Sequence, residues 1–431
     1  MTEICYITEY INKEVEIRGW VYNKRETSNI VFINIRDGTG VIQVLFLKER
    51  FTTIQVNQIL SLLVESVISI KGFVRIEKKA PYKEVEVHAS LYSILFENTV
   101  EFPISKKDHS DGFLMKYRHL WLRSSRQHLI LKIRSAVINA VREYFEVNNF
   151  TLVDSPIFTA SSCEETSTLF NTKWVNNESV YLSQSGQLYQ EAACMAFRKT
   201  YCFGPVFRAE KSKTRRHLNE FWMVEPEMAF ADLDRIIEVA EELICFTVSK
   251  VLEKHEKDLS DILERELTIL KMLRRPFVRM TYVDAKHKLE LLMNKQLEGD
   301  FGAPQETELS FMHDRPIVVT HYPAQVKPFY MKRDESDVRF VKCMDILAPE
   351  GYGEIIGGSQ REEDYESLKK NILNTGLNEY DFSWYLDLRQ YGTVVHSGFG
   401  MGIERLVAWI CGLHHLREAI PFARTIERIR P

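Results

Sequence analysis

The chain has 431 residues, of which 45% are hydrophobic and 27% are charged, and its formal net charge is −4. A single hydrophobic core rarely exceeds about 250–300 residues, so two or three domains are expected. The composition excludes a mainly disordered or fibrous chain, and the lack of an apolar run of about 18 residues predicts no membrane span. The net charge provides no global basic field for nucleic acid, although a local basic patch would suffice.

The cysteines indicate a reducing compartment, the cytoplasm. They are odd in number, scattered, and never spaced as CxxC: Cys5, Cys163, Cys194, Cys202, Cys245, Cys343 and Cys411. A zinc ribbon or a disulfide framework is therefore not expected. The first residues also lack the charged-then-apolar layout of a signal peptide.

Residues 1–100 have the pattern of a small β-domain. Apolar alternation predicts the strands, and a helical spacing follows the third of them. The predicted strands are residues 15–21, 30–36, 41–47, 67–73 and 85–89, and the predicted helix is 53–64. Three strands, a helix and two strands is the order of an OB-fold barrel, a common binder of oligonucleotides.

Alternation along these strands also predicts which side chains face outward. Val31 and Ile33 inside the barrel place Phe32 outside, and the same rule turns Gln43 and Glu86 outward. An outward ring beside Gln and Glu offers stacking and base-edge hydrogen bonds to single-stranded nucleic acid. An exposed Phe among solvated polar residues is the competing interpretation.

Residues 101–124 form a polar connector, and residues 125–431 mix strands with long helices. The absence of regular βαβ alternation indicates an α+β fold. The predicted helices are residues 129–145, 233–253, 259–273 and 403–411, and the predicted strands are 180–183, 200–208, 219–230, 317–321 and 355–358. The sequence contains neither GxxxxGK[ST] nor a GxGxxG after a strand, so the familiar phosphate loops are absent.

A basic loop connects two of the predicted strands, 200–208 and 219–230. Its cationic side chains are Lys211, Lys213, Arg215, Arg216 and His217. Such a loop suits a polyphosphate, and Arg208 at the strand end is a bidentate donor for one phosphate group. A solvated hairpin tip is the competing interpretation.

Two further segments carry polar residues that suit a nucleotide. Asp345 and Glu354, brought together by the turn between them, are candidate ligands for Mg²⁺. Arg361 beyond them offers a fixed fork to a carboxylate or amide oxygen. In the glycine-dense segment 398–406, Arg405 falls in the first turn of a predicted helix, where it can meet a phosphate.

Together these segments resemble the three signature motifs of class II aminoacyl-tRNA synthetases. The helix that ends in residues 150–156 resembles the first motif, residues 208–221 the second, and residues 398–405 the third. An OB fold ahead of them is typical of the aspartyl, asparaginyl and lysyl subgroup. Residues 182–189, 207–227 and 351–361 are most similar to its asparaginyl members. The resemblance implies a catalytic domain built on an antiparallel sheet with flanking helices.

The resemblance also implies a role for each candidate residue. In the ATP site, Arg208 would bind the α-phosphate, Phe221 and Arg405 would sandwich the adenine, and Glu210 would contact its amino group. His217 and Arg405 would hold the β- and γ-phosphates, and Asp345 and Glu354 would hold Mg²⁺. The amino-acid pocket would comprise Glu164, Ser185, Gln187, Glu225 and Arg361. In the OB fold, Phe32, Gln43 and Glu86 would read the anticodon.

The activity that this resemblance implies is the ATP-dependent attachment of L-asparagine to tRNA(Asn) through an asparaginyl-adenylate. The enzyme would be a cytoplasmic homodimer with no membrane partner. The alternatives are a relaxed synthetase that also charges aspartate, a paralogue that forms free asparagine, and a nucleic-acid-binding protein with an inactive site. An anticodon reader is superfluous for free-asparagine synthesis, and the intact site residues argue against inactivity.

Discrimination between asparagine and aspartate depends on the charge near the amino acid. The aspartyl relatives carry a Lys three positions after the second Gln of the 184–187 motif, and here that position is Gln190. Glu225 or Glu164 would then accept from the amide and repel aspartate. The loop usually reads Pro-Glu-Gly but here is Cys163-Glu164-Glu165, which changes the hinge and adds a carboxylate. Cys163 is expected to be an ordinary loop cysteine, because no cation lies beside it in the sequence.

Overall fold

The computed structural model describes residues 1–105, 107–164 and 168–431. It contains two compact units, Met1–Asp111 and Gly112–Pro431. Within the described residues, no helix has both the length and the apolar character needed to cross a membrane. All seven cysteines lie in the described ranges and all are free thiols.

The first unit is a closed β-barrel. Its strands are β1 (Glu14–Glu26), β2 (Ile30–Arg36), β3 (Val41–Leu47), β4 (Val67–Ile76) and β5 (Val85–Phe96), and its helix is α1 (Thr53–Ser61). They close in the order β1-β2-β3-β5-β4, with β3 and β5 parallel and the other pairs antiparallel. The predicted OB-fold order is confirmed, and a short 3₁₀ helix (Ile4–Tyr10) precedes it.

Local sequence signals position the strands and the helix of the barrel. The Asp37 carboxylate accepts hydrogen bonds from the backbone N–H groups of Thr39 and Gly40, and Gly38 adopts a φ of +89° in the turn between β2 and β3. Thr52 and Gln55 form a capping box at the start of α1. Side chains that alternate inward, including Val31, fill a barrel core from which water is excluded.

The second unit is built on a large mixed sheet. Its strands are β6 (Thr151–Leu152), β7 (Phe158–Thr159), β8 (Phe170–Lys173), β9 (Ser179–Leu182), β10 (Lys199–Phe207), β11 (Glu220–Ala229), β12 (Val278–Thr281), β13 (Ile317–Thr320), β14 (Cys343–Ala348), β15 (Gly353–Gln360) and β16 (His396–Gly402). Among the described residues, eight of them form one sheet in the order β12-β13-β14-β15-β16-β11-β10-β6. The pairs β12–β13 and β10–β6 are parallel and the others antiparallel, and β7-β9-β8 form a separate small sheet.

Helices flank this sheet. They are α2 (Asp111–Lys116), α3 (Arg118–Trp121), α4 (Ser125–Val147), α5 (Gln187–Phe197), α6 (Leu233–Leu263), α7 (Thr268–Lys271), α8 (Tyr282–Met293), α9 (Ala303–Phe311), α10 (Tyr365–Asn374), α11 (Ser383–Gln390) and α12 (Ile403–Cys411). Ser124 caps α4, whose buried positions Ile130, Ile133, Val137 and Val141 recur at three- and four-residue steps. This apolar face packs against α6 and α12, and the α+β fold is therefore the one predicted.

One pair of predicted helices differs from the structure. The predicted helices 233–253 and 259–273 were wrong as separate elements, since α6 is one helix of 31 residues. The charged residues 254–258 favour helix, and His255 among them is buried on its inner face, so nothing breaks the helix there. The second half of the predicted connector 101–124 holds α2, α3 and a buried Arg118, whose guanidinium donates to the carbonyls of Pro421 and Ile420.

Candidate active site

A cavity of about 960 Å³ opens on the large sheet of the second unit. Its walls include residues of β11, β15, β16 and α12 and of the loop between β10 and β11. All twelve residues predicted for the ATP, metal and amino-acid sites line it: Glu164, Ser185, Gln187, Arg208, Glu210, His217, Phe221, Glu225, Asp345, Glu354, Arg361 and Arg405. The structure thus brings together side chains that are up to 241 positions apart in the sequence (405 − 164).

Arg208 and Phe221 form the centre of this cavity. They sit at the ends of the antiparallel β10–β11 hairpin, and the Arg208 guanidinium lies 5.6 Å from the centre of the Phe221 ring. Arg208 Nη2 is 3.7 Å from the Glu164 carboxylate, and its Nε has no hydrogen-bond partner among the described residues. Burial would lower the pKa of Arg208, but Glu164, Glu210 and Glu354 outweigh burial and raise it. The guanidinium is therefore a fixed cation with an unused donor.

His217 meets the cavity as a neutral ring. Burial and the neighbouring Arg405 lower the pKa of His217, against the opposing effect of Glu210. Its Nδ1 contacts the Thr214 and Ser212 hydroxyls, and its Nε2 lies 3.2 Å from the Glu210 carboxylate. A carboxylate only accepts, so Nε2 carries the proton and is a donor.

Asp345 on β14 and Glu354 on β15 converge above Gly357. A Cβ atom at Gly357 would lie 3.0 Å from Glu354 Oε1 and 3.5 Å from Asp345 Oδ1, so only glycine leaves both carboxylates this room. Burial and the charge of Glu354 raise the pKa of Asp345 to about 6, despite the nearby Lys327. Two close, buried carboxylates are the oxygen ligands that a divalent cation takes beside substrate phosphates. These residues fit Mg²⁺.

The carboxylates of Asp345 and Glu354 are each paired with a cationic side chain. Lys327 Nζ lies 2.8 Å from Asp345 Oδ2 and 3.3 Å from Asp300. Arg405 Nη1 lies 2.8 Å from Glu354 Oε2 and also donates to the Glu354 carbonyl. Burial would raise the pKa of Glu354, but Arg405 and Lys327 outweigh burial and lower it. No sequence signal identified Lys327, which lies in an irregular segment between β13 and β14.

The amino-acid end of the cavity is a dense hydrogen-bond network. The Glu225 carboxylate accepts from the Ser185 hydroxyl and from the Gly186 N–H at 2.9 Å. Ser185 Oγ in turn accepts from the Gln187 N–H at 3.1 Å. These bonds hold Ser185, Gly186 and Gln187 in place at the start of α5.

Arg361 is held from behind by a residue that the sequence analysis missed. Its Nε and Nη2 donate to the Glu227 carboxylate at 3.0 and 2.9 Å, and its Nη1 donates to Ser359 Oγ at 2.8 Å. Glu227 lies two positions beyond Glu225 on β11, so both side chains face the same side of the sheet. A second acid two positions beyond Glu225 on the same strand was the available signal.

A buried trio behind the pocket has the spacing of metal ligands but not the free electron pairs. Glu191, Glu227 and His396 lie close enough together to surround an ion. However, the Glu191 carboxylate already accepts from Arg389 and His396, and Arg361 occupies Glu227. We therefore do not interpret the trio as a metal site.

The residues expected to set asparagine selectivity are placed differently from one another. Gln190 is fully buried and lies outside the cavity lining, with its amide donating to the Val153 carbonyl at 2.7 Å. Glu164 lines the cavity, 3.4 Å from the Tyr330 hydroxyl. Cys163 is buried, and burial together with Glu164 raises the pKa of its thiol well above the usual value, as expected for an unreactive thiol. Glu165 lies outside the described residues.

The three predicted anticodon residues lie on β2, β3 and β5 of the barrel, and two of them, Gln43 and Glu86, are cross-strand partners. β2 pairs Asn34 with Gln43, and β3 pairs Gln43 with Glu86, while Ile42 and Val44 point into the core. Their outward alternation is as predicted, but their expected exposure was wrong for two of them. Gln43 and Glu86 are each only 4% exposed.

Neighbouring side chains cover this face. Gln43 Nε2 donates to Glu86 at 2.8 Å, and His88 Nε2 contacts the other carboxylate oxygen at 2.8 Å. The Arg25 guanidinium lies 4.3 Å from the centre of the half-buried Phe32 ring. Long polar side chains that pair with one another bury themselves even on an outer face.

Known families and proteins resemble the whole chain. Residues 110–426 match the model of tRNA synthetases class II (D, K and N), and residues 15–95 match that of the OB-fold nucleic acid binding domain. The asparagine–tRNA ligase of Sorangium cellulosum (strain So ce56) is 47% identical over 438 residues, covering 99% of this chain and 98% of that protein. The asparagine–tRNA ligase of Chloroflexus aurantiacus (strain J-10-fl) is 48% identical over 444 residues, covering 99% and 98%.

Solved structures agree. Asparaginyl-tRNA synthetase from Pyrococcus horikoshii, complexed with asparaginyl-adenylate, has a TM-score of 0.96 and 40% identity, covering 100% of this chain and 99% of that one. The asparaginyl-tRNA synthetase of Entamoeba histolytica has a TM-score of 0.90 and 30% identity, covering 97% of each chain. The chain therefore belongs to the class II tRNA synthetases of the D, K and N type.

Proposed function

We propose that this chain attaches L-asparagine to tRNA(Asn), using ATP and passing through an asparaginyl-adenylate. The observation that carries the proposal is the convergence of phosphate-binding cations and an amino-acid pocket in one cavity. The relatives at 47–48% identity are asparagine–tRNA ligases, and the structure with a TM-score of 0.96 contains asparaginyl-adenylate.

The first step needs positioning more than a protein nucleophile. The asparagine carboxylate attacks the α-phosphate of ATP in line, an adenylate forms, and pyrophosphate leaves. Arg208 neutralises the α-phosphate with its unused donor, and Phe221 stacks on the adenine with Arg405 on its other face. His217 and Arg405 bind the outer phosphates, and Glu210 contacts the adenine amino group. Asp345 and Glu354 hold Mg²⁺, which when bound offsets the charge of the phosphates.

The second step transfers the aminoacyl group from the adenylate to the 3′-terminal ribose hydroxyl of the tRNA, and AMP leaves as the acyl–phosphate bond breaks. Until then, the pocket residues Glu164, Ser185, Gln187, Glu225 and Arg361 hold asparagine. Arg361 offers the second N–H of Nη1 to the side-chain carbonyl, since Nη1 has two hydrogens and Ser359 takes one. The acidic groups in the pocket disfavour the extra charge of aspartate.

The barrel reads the anticodon with Phe32, Gln43 and Glu86. An incoming base displaces the Arg25 guanidinium from the face of Phe32 and stacks there. The edge of that base then forms hydrogen bonds with Gln43 and Glu86. Without nucleic acid, these two side chains are hydrogen-bonded to each other. We assign residues 1–100 to this anticodon-binding domain, 101–124 to the connector and 125–431 to the catalytic domain.

The protein acts as a homodimer in the cytoplasm. The small sheet β7-β9-β8 and the turn beside it expose a group of large apolar side chains: Phe158 at 48%, Phe170 at 37%, Trp174 at 45% and Val175 at 91%. A group of exposed large apolar side chains is typical of a protein interface. The free thiols suit a reducing compartment.

Aminoacylation tests the proposal. Purified protein is mixed with ATP, Mg²⁺, labelled amino acid and a tRNA(Asn) transcript, with a tRNA(Asp) transcript as the control. Labelled asparagine on tRNA(Asn) alone is the expected result. Aspartate on either tRNA would favour the relaxed synthetase, and free asparagine formed from aspartate would favour the paralogue.

A further inference from the structure

Glu191 lies one turn beyond Gln187 on α5, fully buried behind the amino-acid end of the cavity. Its carboxylate accepts from Tyr385 Oη at 2.8 Å, Arg389 Nη2 at 2.7 Å and His396 Nε2 at 3.0 Å. These three partners come from α11 and the first residue of β16, so two other elements lock the carboxylate in place. Glu191 itself does not line the cavity.

The remaining bond of Glu191 is to a residue of the pocket. Gln187 Nε2 donates to Glu191 Oε1 at 3.0 Å. Burial alone would raise the pKa of Glu191, but Arg389, His396 and Arg361 outweigh burial and lower it. An ionised carboxylate has no proton to donate, so the Gln187 amide must turn its NH₂ group toward Glu191.

This constraint decides what Gln187 offers to the substrate. An amide that points its NH₂ group backward has only its carbonyl oxygen left for the cavity that Gln187 lines. That oxygen has no hydrogen-bond partner within the described ranges of the chain, so it is available to an N–H group of the substrate. A reversed amide would instead present a donor to the same N–H group, and the bond would be lost.

We propose that Glu191 is a positioning residue for the amino acid, which fixes the Gln187 amide so that its carbonyl oxygen binds an N–H group of asparagine. This inference rests on the proposed function, because it takes asparagine as the substrate. Glu191 does not touch the substrate and acts through Gln187.

Two variants test this role. Glu191→Gln offers both donors and an acceptor, so the Gln187 amide is no longer fixed. Glu191→Asp keeps the charge that Arg389 and His396 require, and so favours a folded protein, but withdraws the carboxylate from Gln187 by one methylene. In asparagine-dependent ATP–pyrophosphate exchange, both variants should raise the KM for asparagine about tenfold, equivalent to about 1.4 kcal/mol. The KM for ATP and the kcat should stay within about twofold of the starting protein.

The control is Glu241→Gln. Glu241 is also a buried carboxylate, 2% exposed, but it accepts from the Phe277 N–H and lies outside the cavity lining. The Glu241→Gln substitution should change the melting temperature without changing the KM for asparagine. Isothermal titration calorimetry with asparagine alone gives a second measurement, in which the Glu191 variants should bind about tenfold more weakly.

A double variant identifies the path of the effect. Gln187→Leu should itself weaken asparagine binding, and adding Glu191→Gln should then cause no further loss. Additive losses, or an unchanged asparagine affinity in both folded Glu191 variants, would overturn the inference while leaving the proposed function intact. Absence of asparagine-dependent exchange in the unaltered protein would instead overturn the proposed function.

Discussion

Lys327 and Asp345 form an ion pair inside the active-site cavity, with Nζ 2.8 Å from Oδ2. The ammonium group also lies 3.3 Å from Asp300 and 3.9 Å from the centre of the Tyr322 ring. Asp345 and Glu354 lie close together above Gly357. The positive charge of Lys327 therefore offsets the negative charge of Asp345 when no metal ion is bound.

Replacing Lys327 by Met should destabilise the protein and increase its response to Mg²⁺. Breaking a buried pair leaves an uncompensated carboxylate, which costs about 3–5 kcal/mol in buried examples. Urea unfolding should show this loss, and adding MgCl₂ should raise the melting temperature of the variant more than that of the starting protein. Lys342→Met, which breaks a more exposed pair with Glu335, is the control and should show neither effect. An equal response to Mg²⁺ in all three proteins would contradict the assignment of Asp345 as a ligand.

Binding of Mg²⁺ should weaken as the pH falls through about 6. The pKa of Asp345 is raised to about 6, first by burial and then by the charge of Glu354, so below that pH the carboxyl is protonated. Protons and the metal then compete for the same oxygen, and affinity is present above the raised pKa and lost below it. Calorimetric titration at pH 7.5 and at pH 5.5 measures the difference. Equal affinities at the two pH values would show that Asp345 does not bind the ion.

Arg208→Lys should reduce the kcat of asparagine-dependent exchange by about 100- to 1,000-fold, the range for loss of one well-placed transition-state donor. Lysine keeps the charge but lacks the planar fork that meets a phosphate. The control is Arg142→Lys, because Arg142 also lies over a ring, 5.1 Å from the centre of Phe203, but outside the cavity lining. Arg142→Lys should keep full activity. An equally large loss of activity in Arg142→Lys would indicate that Arg208→Lys acts through protein stability.

Phe32→Ala should raise the KM for tRNA(Asn) by about tenfold or more, since stacking contributes about 1–3 kcal/mol per base. ATP–pyrophosphate exchange needs no tRNA and should be unchanged. Phe73 on β4 is a matched control, because it is exposed and lies 5.9 Å from the Arg75 guanidinium, as Phe32 lies beside Arg25. If Phe73→Ala raised the KM for tRNA as much as Phe32→Ala, the assigned reading face would be wrong.

Trp174→Glu should convert the proposed homodimer to a monomer. A charge buried in an apolar interface has no partner, and Trp174 packs edge-on against Phe158, 5.6 Å between ring centres. Light scattering after size-exclusion chromatography measures the mass. Leu373→Glu, at an exposed position of α10, should leave the mass unchanged. A monomer before any substitution would refute the dimer.

Sequence periodicity predicted the elements but not the partners of their side chains. Alternation placed Val31 inside and Phe32 outside, because a strand has a strict period of two. It did not predict that Gln43 and Glu86 cover each other, since that depends on two strands pairing side by side. Likewise, residues 254–258 looked like a break between two helices, but charged helix formers continue a helix when one face stays buried.

Motif spacing predicted the lining of the cavity more fully than the residues behind it. Every residue predicted for the ATP site and the amino-acid site lies on the cavity wall. The sequence motifs predicted these residues because they contain the residue types that the chemistry requires. Lys327 and Glu191 were missed, since a buried ion pair or a positioning contact depends on distant segments that only folding brings together. Gln190 can influence the selectivity for asparagine only at a distance, because its side chain bonds to the Val153 carbonyl outside the cavity.

The most direct test of the proposed function is ATP–pyrophosphate exchange with asparagine and aspartate measured side by side. Exchange with asparagine and negligible exchange with aspartate is the predicted result, because the pocket places acidic groups around the amino acid. Comparable exchange with aspartate would contradict the selectivity and indicate a relaxed synthetase. No exchange with either amino acid would contradict the catalytic assignment itself.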